Sequence, residues 1–263
     1  MSGEGGRPPV RTFADLAALT PARIGLGRAG ASLPMREVLR FGLAHAQARD
    51  AVHAPFRPDE VAAQLAGLGV ETLAVESAAR SRADYLRRPD WGRSLSPESL
   101  SALAVRRGRL DLAIVVADGL SSTAVHQNAA PLVEALLPHL RRQTLTLAPV
   151  VIASQARVAL GDAAGQTLGA RMVLVLIGER PGLSSPDSLG AYLTFAPRIG
   201  LTDEARNCIS NIRPGGLDFA EAAFKLAWLI DQGFRRSLTG VGLKDDSDAA
   251  LEAGGAAALI AGA

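Results

Sequence analysis

The sequence predicts an α/β fold, in which a mostly parallel sheet carries helices on both faces and follows a smaller helical N-terminal segment. After about residue 105, several apolar runs lack polar residues at alternate positions, as in residues 172–177. Strands of this kind are typical of a sheet that is buried on both faces. The runs alternate with helical patterns, and this order favours parallel strands joined by helices. Before residue 105, apolar residues recur at three- and four-residue steps, which indicates helices.

The N-terminal segment, residues 11–104, is predicted to be mostly helical. Its clearest helix begins after Pro34, because a proline at the start of a helix loses no hydrogen bond. Residues 71–77, ETLAVES, could form a short strand, and residues 85–95, YLRRPDWGRSL, follow as part of a polar loop. The residues that recur at three- and four-residue steps along one face of the predicted helix are Met35, Val38, Leu39, Gly42, Leu43 and Ala46.

Residues 105–242 form the predicted sheet domain. Its first strand is followed by a helix that Ser121 or Ser122 caps, because a hydroxyl oxygen accepts a hydrogen bond from the free N–H groups of a helix start. Further helices are predicted in residues 161–170 and 216–234. The predicted strands span residues 110–120, 145–154, 171–178, 191–197 and 207–212.

Composition places the chain among globular proteins of the cell interior. Hydrophobic residues make up 48% of its 263 residues, and no apolar run reaches the roughly 20 residues of a membrane-spanning helix. A cytoplasmic location without membrane attachment is therefore expected. A single cysteine excludes an internal disulfide and a multi-cysteine zinc site. Residues 1–10 are predicted to be disordered, and residues 243–263 to form a flexible tail rich in Ala and Gly.

Arginine supplies nearly all of the positive charge. The net charge is +2, and only Lys225 and Lys244 among the 28 basic residues are lysines. Guanidinium groups suit bidentate contacts to carboxylates and phosphates. The arginines are spread among acidic residues, and aromatic residues make up only 4% of the chain. This distribution argues against nucleic-acid binding, which needs a continuous basic surface.

Two predicted strands end in the same way, with an acid beside a glycine. The acids are Asp118 in ADGLSS and Glu179 in IGERPGLSS. Ligands of α/β sheets bind beyond the carboxyl ends of the strands, where a carboxylate accepts hydrogen bonds from amides, hydroxyls or cations. Asp118 could equally serve as a turn or helix-cap residue, and Glu179 as an ion-pair partner of Arg180 or another arginine.

Other patterns point less clearly to chemistry. GLGRAG, residues 25–30, matches the dinucleotide fingerprint, but no full apolar strand precedes it and Pro34 delays the helix. The four histidines lack metal-site spacing, so no metal site is predicted. Cys208, taken alone, is typical of a small buried residue. No catalytic residue is predicted, and the chain lacks the chemistry of a self-sufficient enzyme.

Several motifs, in one order and at one spacing, indicate a family. They are GRAG, YLRRPDWGRSL, ADGLSS, LVLIGERPGL, APRIG, RNCISNIRPGG and the EAA helix that follows. Over about residues 23–240 the chain resembles the small subunit of ethanolamine ammonia-lyase, and GERPGL and CISNI are the most specific motifs. The resemblance implies an adenosylcobalamin-dependent lyase that converts ethanolamine to acetaldehyde and ammonia. The small subunit is not expected to be active alone.

The resemblance also implies a division of labour between two subunits. A large subunit, a TIM barrel, would hold the substrate and carry out the radical chemistry, while this chain would bind cobalamin at the subunit interface through a Rossmann-like domain. Cofactor contacts would fall on Val158, Glu179 and Cys208, flanked by the weaker candidates Arg157 and Arg206. The chain has no D-x-H-x-x-G motif, whose histidine replaces the lower base on cobalt in other cobalamin enzymes. Adenosylcobalamin is therefore expected in its base-on form.

Two other functions stay open. One is a nicotinamide-dependent oxidoreductase that uses the crevice of the sheet, and the other is a non-catalytic assembly subunit that binds no cofactor. The complex could be free in the cytoplasm or packaged in a bacterial microcompartment, and the sequence does not distinguish these locations.

Overall fold

The computed structural model describes residues 12–20 and 22–251. Within these residues the chain forms six strands and nine α-helices. The strands are β1 (Thr72–Glu76), β2 (Leu110–Ala117), β3 (Val150–Ser154), β4 (Ala170–Gly178), β5 (Leu189–Phe195) and β6 (Arg206–Ile212). The helices are α1 (Phe13–Ala18), α2 (Met35–His53), α3 (Pro58–Ala66), α4 (Arg82–Arg87), α5 (Pro97–Ala104), α6 (Ser122–Arg142), α7 (Leu160–Leu168), α8 (Phe219–Arg236) and α9 (Ser247–Ala250).

All six strands belong to one mixed sheet, in the order β1-β3-β2-β4-β5-β6. The pairs β1–β3, β3–β2 and β2–β4 are parallel, whereas β5 runs antiparallel to both β4 and β6. The predicted α/β class, with one sheet and covering helices, is confirmed. The expectation of a Rossmann-like sheet is corrected, because the two antiparallel pairings make the sheet mixed.

The connection between β4 and β5 explains this difference. A parallel neighbour requires a crossover of about a dozen residues or more, usually a helix. Residues 179–188 form no helix, and Pro181 and Pro186 within them disfavour one. The chain therefore returns directly beside β4, with Gly178 opposite Leu189.

Helices cover both faces of the sheet, as predicted. Neighbouring side chains of a strand point to opposite faces. Ile114 of β2 packs in the core that α3, α6 and α8 complete, and Val115 packs in the core that α5 and α7 complete. Both side chains are buried. Burial on both faces explains why β2 consists of a continuous apolar run.

The N-terminal segment combines helices with one strand of the sheet. β1 pairs with β3 and places Thr72 opposite Val150, so ETLAVES does form a strand. The expectation that YLRRPDWGRSL lies in a plain polar loop is corrected, since α4 and a 3-10 turn, Trp91–Arg93, contain most of it. The division of the chain near residue 105 stays a prediction.

Most of the predicted terminal tails lie outside the described residues, namely residues 1–10 and 252–263. Residues 243–251 are described, and both Leu243 and Ser247 in them are buried. Among residues 12–20 and 22–251, no helix is long and apolar enough to cross a membrane.

Candidate functional site

A cavity of about 630 Å³ opens at the carboxyl ends of β2 and β4. Gly119 follows β2, Glu179 follows β4, and Val158 lies in the turn that follows β3. This is the position at which α/β sheets bind their ligands. The remaining lining residues are Tyr85, Arg93, Leu120, Arg157, Ala159, Ile177, Gly178, Arg180, Tyr192, Leu201, Thr202, Asp203 and Arg206.

Glycine allows the ends of β2 and β4 to approach each other. A Cβ on Gly119 would lie 2.1 Å from the carbonyl oxygen of Gly178, and a Cβ on Gly178 would lie 2.1 Å from that of Ser121. Gly119 also has a φ of +57°, which residues with a side chain rarely adopt. The glycines of the two strand-end motifs therefore place both strand ends, with their acids, side by side.

Glu179 is held by the two strands that follow it. Its Oε2 atom accepts hydrogen bonds from the Ser188 hydroxyl and, at 3.2 Å, from the Asn211 N–H. Its Oε1 atom has no hydrogen-bond donor among the described residues. The ion pair with Arg180 that the sequence left open does not form. Glu179 thus keeps one carboxylate oxygen free for a ligand.

Asp118 is buried behind the cavity and does not line it. Its Oδ1 atom accepts a hydrogen bond from the Ala156 N–H at 2.9 Å, and its Oδ2 atom lies 3.4 Å from Nη1 of Arg82. Burial raises the pKa of Asp118 to about 6, and the Ala156 N–H and Arg82 oppose that shift. Asp118 therefore ties the end of β2 to the turn after β3. The helix-cap role that the sequence left open for Asp118 belongs to Ser121, which caps α6.

Tyr85 contacts two guanidinium groups at one wall of the cavity. Its ring centroid lies 4.7 Å from Cζ of Arg82 and 4.5 Å from Cζ of Arg157. Cation–π contacts of this kind are strongest where water is excluded, and Tyr85 is only 1% exposed. Burial raises the pKa of Tyr85 to about 12, so its hydroxyl stays protonated at neutral pH.

Arg206 is occupied by partners within the protein. It forms a buried ion pair with Asp162, and its Nη1 atom lies 3.0 Å from Oδ1 of Asp203. Its Nη2 atom also donates to the Leu201 carbonyl at 3.2 Å. Desolvation raises the pKa of the Asp162 carboxyl, and Arg206 opposes that shift. Arg206 therefore joins α7 to β6, and it is a weaker ligand candidate than Arg157.

The three predicted cofactor contacts lie at the same end of the sheet. Val158 and Glu179 both line the cavity. Cys208 does not line it but pairs across the strands with Tyr192, which does. The Cys208 thiol is free and exposed, so the interpretation of this residue as small and buried is wrong. The role of these residues in cofactor binding stays a prediction.

Sequence reasoning missed three further cavity residues. Tyr85 and Arg93 lie in YLRRPDWGRSL, and Tyr192 lies in the middle of β5. The clustering of arginines with Tyr85 and Trp91 was the one available signal for the first two, because guanidinium groups stack on aromatic rings. Tyr192 carried no signal, since a tyrosine in a strand is ordinary.

The GLGRAG segment lacks the setting of a dinucleotide fingerprint. It lies in a loop in which Ala29 bridges to Ser32, and α2 begins only at Met35. A dinucleotide site requires a strand directly before the glycines and a helix that opens within them. The segment therefore does not support a nicotinamide site.

Comparison with known proteins decides the family. The sequence profile of the ethanolamine ammonia-lyase light chain (EutC) matches residues 11–244, which is most of the chain. The chain belongs to the ethanolamine ammonia-lyase light chain family. The family that the motifs predicted is thereby confirmed.

Named relatives of the ethanolamine ammonia-lyase light chain agree with this assignment. The chain is 56% identical over 241 residues to the ethanolamine ammonia-lyase small subunit of Ralstonia nicotianae, covering 90% of this chain and 89% of the relative. It is 57% identical over 240 residues to the small subunit of Azotobacter vinelandii, with coverage of 90% and 89%. It is 56% identical over 248 residues to that of Xanthomonas campestris pv. campestris, with coverage of 93% and 91%.

As an ethanolamine ammonia-lyase light chain, this protein is a subunit of a lyase assembled from different chains. The designations light chain and small subunit imply a larger partner subunit.

Proposed function

We propose that this chain binds adenosylcobalamin in the cavity at the carboxyl ends of β2 and β4, at its interface with the large subunit. The assembled enzyme converts ethanolamine to acetaldehyde and ammonia. The observation that carries this proposal is the state of Glu179, which lies in the family-specific motif GERPGL. Ser188 and Asn211 hold one of its carboxylate oxygens, while the other has no donor among the described residues.

The residues of the cavity fit a corrinoid. A corrin ring carries peripheral amides, and their N–H groups are suitable donors for the free Oε1 atom of Glu179. Val158, Leu120 and Ile177 supply apolar contact beside it. Large ligands are commonly bound by such a combination of apolar surface and a few placed polar groups. Cys208, one strand beyond Tyr192, extends this surface along the edge of the cavity.

The large subunit carries the substrate chemistry in this proposal, and the small subunit holds and encloses the cofactor. When bound, adenosylcobalamin supplies the radical that abstracts hydrogen from the substrate. Burial raises the pKa values of Tyr85 and Tyr192, so both hydroxyls act at neutral pH as protonated hydrogen-bonding groups and not as bases. The walls of the cavity exclude water from the side that this chain covers.

The placement of the histidines supports the base-on form of the cofactor. His45 and His53 lie on α2, His126 and His139 lie on α6, and none of the four lines the cavity. No histidine of this chain is therefore placed to replace the lower base of the cofactor on cobalt. Electron paramagnetic resonance of the cobalt(II) state should show nitrogen coupling from the cofactor's own base. Coupling from a ¹⁵N-histidine-labelled small subunit would contradict the base-on form.

An apolar ridge on α2 is the second surface that we assign to the large subunit. Met35, Leu39 and Leu43 follow one another at four-residue steps and are 70%, 65% and 60% exposed. Exposed apolar surface of this kind marks interaction sites.

The carboxyl end of α2 is linked to the cavity wall through Arg82. Nε of Arg82 donates to the Val52 carbonyl of α2 at 2.8 Å, and Nη1 of Arg82 donates at 2.8 Å to Gly119, which lines the cavity. A partner that covers this wall would therefore meet the carboxyl end of α2, whereas the ridge lies in the amino-terminal half of the helix. We assign the ridge to the large subunit because that subunit is the partner that the family implies. The TIM-barrel fold of that subunit and packaging in a microcompartment stay predictions of the resemblance.

Reconstitution tests the proposed function. The small subunit, the large subunit and their mixture are each titrated with adenosylcobalamin and, separately, with NAD, and binding is followed by calorimetry. The mixture should bind adenosylcobalamin and release acetaldehyde from ethanolamine, whereas the small subunit alone should form no acetaldehyde. Binding of NAD in place of cobalamin would support the oxidoreductase alternative, and a mixture that binds neither would support the assembly-subunit alternative.

A further inference from the structure

Two segments that are far apart in the sequence place guanidinium groups at one wall of the cavity. Arg157 lies in the turn after β3, and Arg93 ends the 3-10 turn within YLRRPDWGRSL. Both line the cavity, and neither forms an ion pair with a described carboxylate. The charge at this wall is thus uncompensated by the part of the chain that the structure describes.

Arg157 is held in place by contacts on both its backbone and its side chain. Its N–H donates to the Gly92 carbonyl at 2.8 Å, and Nη2 donates to the Tyr85 carbonyl at 3.1 Å. Its guanidinium carbon lies 4.5 Å from the centroid of the Tyr85 ring. A guanidinium group held in this way loses little conformational entropy when it binds an anion.

Gly92 explains why Arg93 lies beside Arg157. A Cβ on Gly92 would lie 3.0 Å from Cδ2 of Tyr85 and 3.1 Å from Cγ of Arg157. The absence of a side chain lets the 3-10 turn press against both residues. Arg93 itself is exposed, and its guanidinium group has no hydrogen-bond partner among the described residues. It is therefore a free donor next to one that is anchored.

The rest of the cavity indicates an anion at this wall. Arg206 is neutralised by Asp162 and Asp203, and Glu179 is the acceptor for an amide in the proposed function. Arg93, Arg157 and Arg180 line the cavity without an ion-pair partner among the described residues, and the close contact of Gly92 with Arg157 brings the first two of them next to each other. Guanidinium groups match phosphate oxygens in geometry and charge, and cobalamin carries one phosphodiester, in the loop that links its lower base to the corrin ring.

We propose that Arg93 and Arg157 form an anion subsite for the phosphodiester of the cobalamin nucleotide loop. This inference rests on the proposed function and assigns a task to YLRRPDWGRSL. Tyr85 and Gly92 are positioning residues in this subsite, because they orient Arg157 and admit Arg93. The lower-base side of the cofactor faces this chain as a result.

Three corrinoids test the subsite in the assembled complex of small and large subunits. Cobalamin contains the phosphodiester and the base, cobinamide phosphate contains the phosphate alone, and cobinamide contains neither. Dissociation constants are measured by equilibrium dialysis with absorbance detection for the wild type and for Arg93→Gln, Arg157→Gln and Arg109→Gln. Arg109 is an exposed control at the amino end of β2, opposite the cavity. Thermal unfolding of each variant reports on folding.

Each arginine variant of the subsite should weaken the binding of cobalamin and cobinamide phosphate roughly 10- to 100-fold. Cobinamide binding should change by less than about 2-fold in both variants, since cobinamide lacks the phosphate that the two guanidinium groups would bind. Arg109→Gln should leave all three dissociation constants unchanged. Arg93→Gln keeps the test valid if Arg157→Gln fails to fold, because Arg93 makes no contact that the fold requires.

The possible outcomes separate this inference from the proposed function. An equal loss of affinity for all three corrinoids, or no loss for any, would overturn the phosphodiester subsite while leaving cobalamin binding intact. A wild-type complex that binds none of the three corrinoids would overturn the proposed function, and the subsite with it.

Discussion

The guanidinium carbon of Arg157 lies 4.5 Å from the centroid of the Tyr85 ring. Tyr85 begins YLRRPDWGRSL and Arg157 follows β3, so this contact joins the N-terminal segment to the carboxyl end of the sheet. The contact is buried at Tyr85, which is 1% exposed. YLRRPDWGRSL, in which the sequence analysis identified no functional residue, therefore forms part of the cavity wall.

Replacement of the Tyr85 ring should destabilise the protein and weaken cofactor binding together. Tyr85→Leu leaves a cavity and removes the surface on which Arg82 and Arg157 lie, at a cost of about 2–4 kcal/mol of unfolding free energy. Tyr85→Phe keeps the ring and should cost less than about 1 kcal/mol. Urea denaturation and cobalamin titration of the complex measure both effects. Equal stability of the Leu and Phe variants would show that the ring contact does not matter.

Asp118 should make the unfolding free energy depend on pH in the mildly acidic range. Its pKa is raised to about 6 in the folded protein, so the folded state holds this proton more tightly than the unfolded state. The resulting stabilisation is complete below about pH 4 and is lost as the pH rises through 6, by about 3 kcal/mol in total.

The Asp118→Asn variant isolates this contribution. An amide oxygen can still accept the Ala156 N–H, but the side chain no longer titrates. Between pH 4 and pH 7 the variant should therefore gain about 3 kcal/mol of unfolding free energy relative to the wild type. Urea denaturation at several pH values measures the difference, with Asp59→Asn on the exposed first turn of α3 as the control. If the unfolding free energies of wild type and Asp118→Asn changed with pH in parallel, burial would not raise the pKa of Asp118.

The sheet core could be predicted because each buried strand is a continuous apolar run, which can be read from a few neighbouring residues. Residues 112–117 and 172–177 are apolar on both faces, and the structure buries both faces. The direction of β5 was missed because strand direction depends on the length and content of the preceding connection. The prolines at 181 and 186 did contain that information, since they disfavour the helix that a parallel crossover uses.

The candidate site was predictable only where its residues end strands. Glu179 was recognisable because it directly follows an apolar run, at the edge where ligands of α/β sheets bind. Asp118 follows the same pattern, yet it is buried and bonded to Ala156 and Arg82. Tyr85 reaches the cavity only through tertiary packing, and the arginines clustered near it were its one signal in the sequence.

Glu179→Ala should weaken cobalamin binding to the complex by about 1–3 kcal/mol, if its free oxygen accepts a buried amide hydrogen bond. Ser188→Ala is the matched control for structure, because it removes the donor to the other oxygen and leaves the carboxylate in place. Glu134→Ala, on the exposed face of α6, controls for lost charge. Calorimetric titration compares the three variants. Unchanged affinity in Glu179→Ala would remove this residue from the cofactor site.

Cys208 should react with maleimide in the isolated small subunit and be protected in the loaded complex. It is the one cysteine of the chain, and its thiol is exposed. We expect labelling, measured by intact mass, to slow about 10-fold or more when the large subunit and cobalamin both cover the thiol, because a covered thiol is less accessible to the reagent. Labelling of the complex without cobalamin shows how much of the protection of Cys208 comes from the large subunit and how much from the cofactor.

A relocated cysteine controls for general effects on labelling. Cys208→Ser combined with Arg109→Cys places the thiol at the amino end of β2, away from the cavity. This variant should label equally fast in the free subunit and in the complex. Equal labelling of Cys208 with and without cobalamin in the complex would place the residue outside the cofactor contact.

Charge placed on the α2 ridge should weaken association with the large subunit and leave the small subunit folded. Leu39 and Leu43 are 65% and 60% exposed, so Leu39→Glu with Leu43→Glu should change the unfolding free energy by less than about 1 kcal/mol. Two carboxylates buried against a partner should instead weaken subunit association about 10-fold or more. Val105→Glu is the control, because Val105 is 81% exposed and follows α5 at the opposite end of the sheet. Sedimentation velocity of the mixed subunits measures association, and an unchanged complex in the double variant would show that the large subunit does not cover α2.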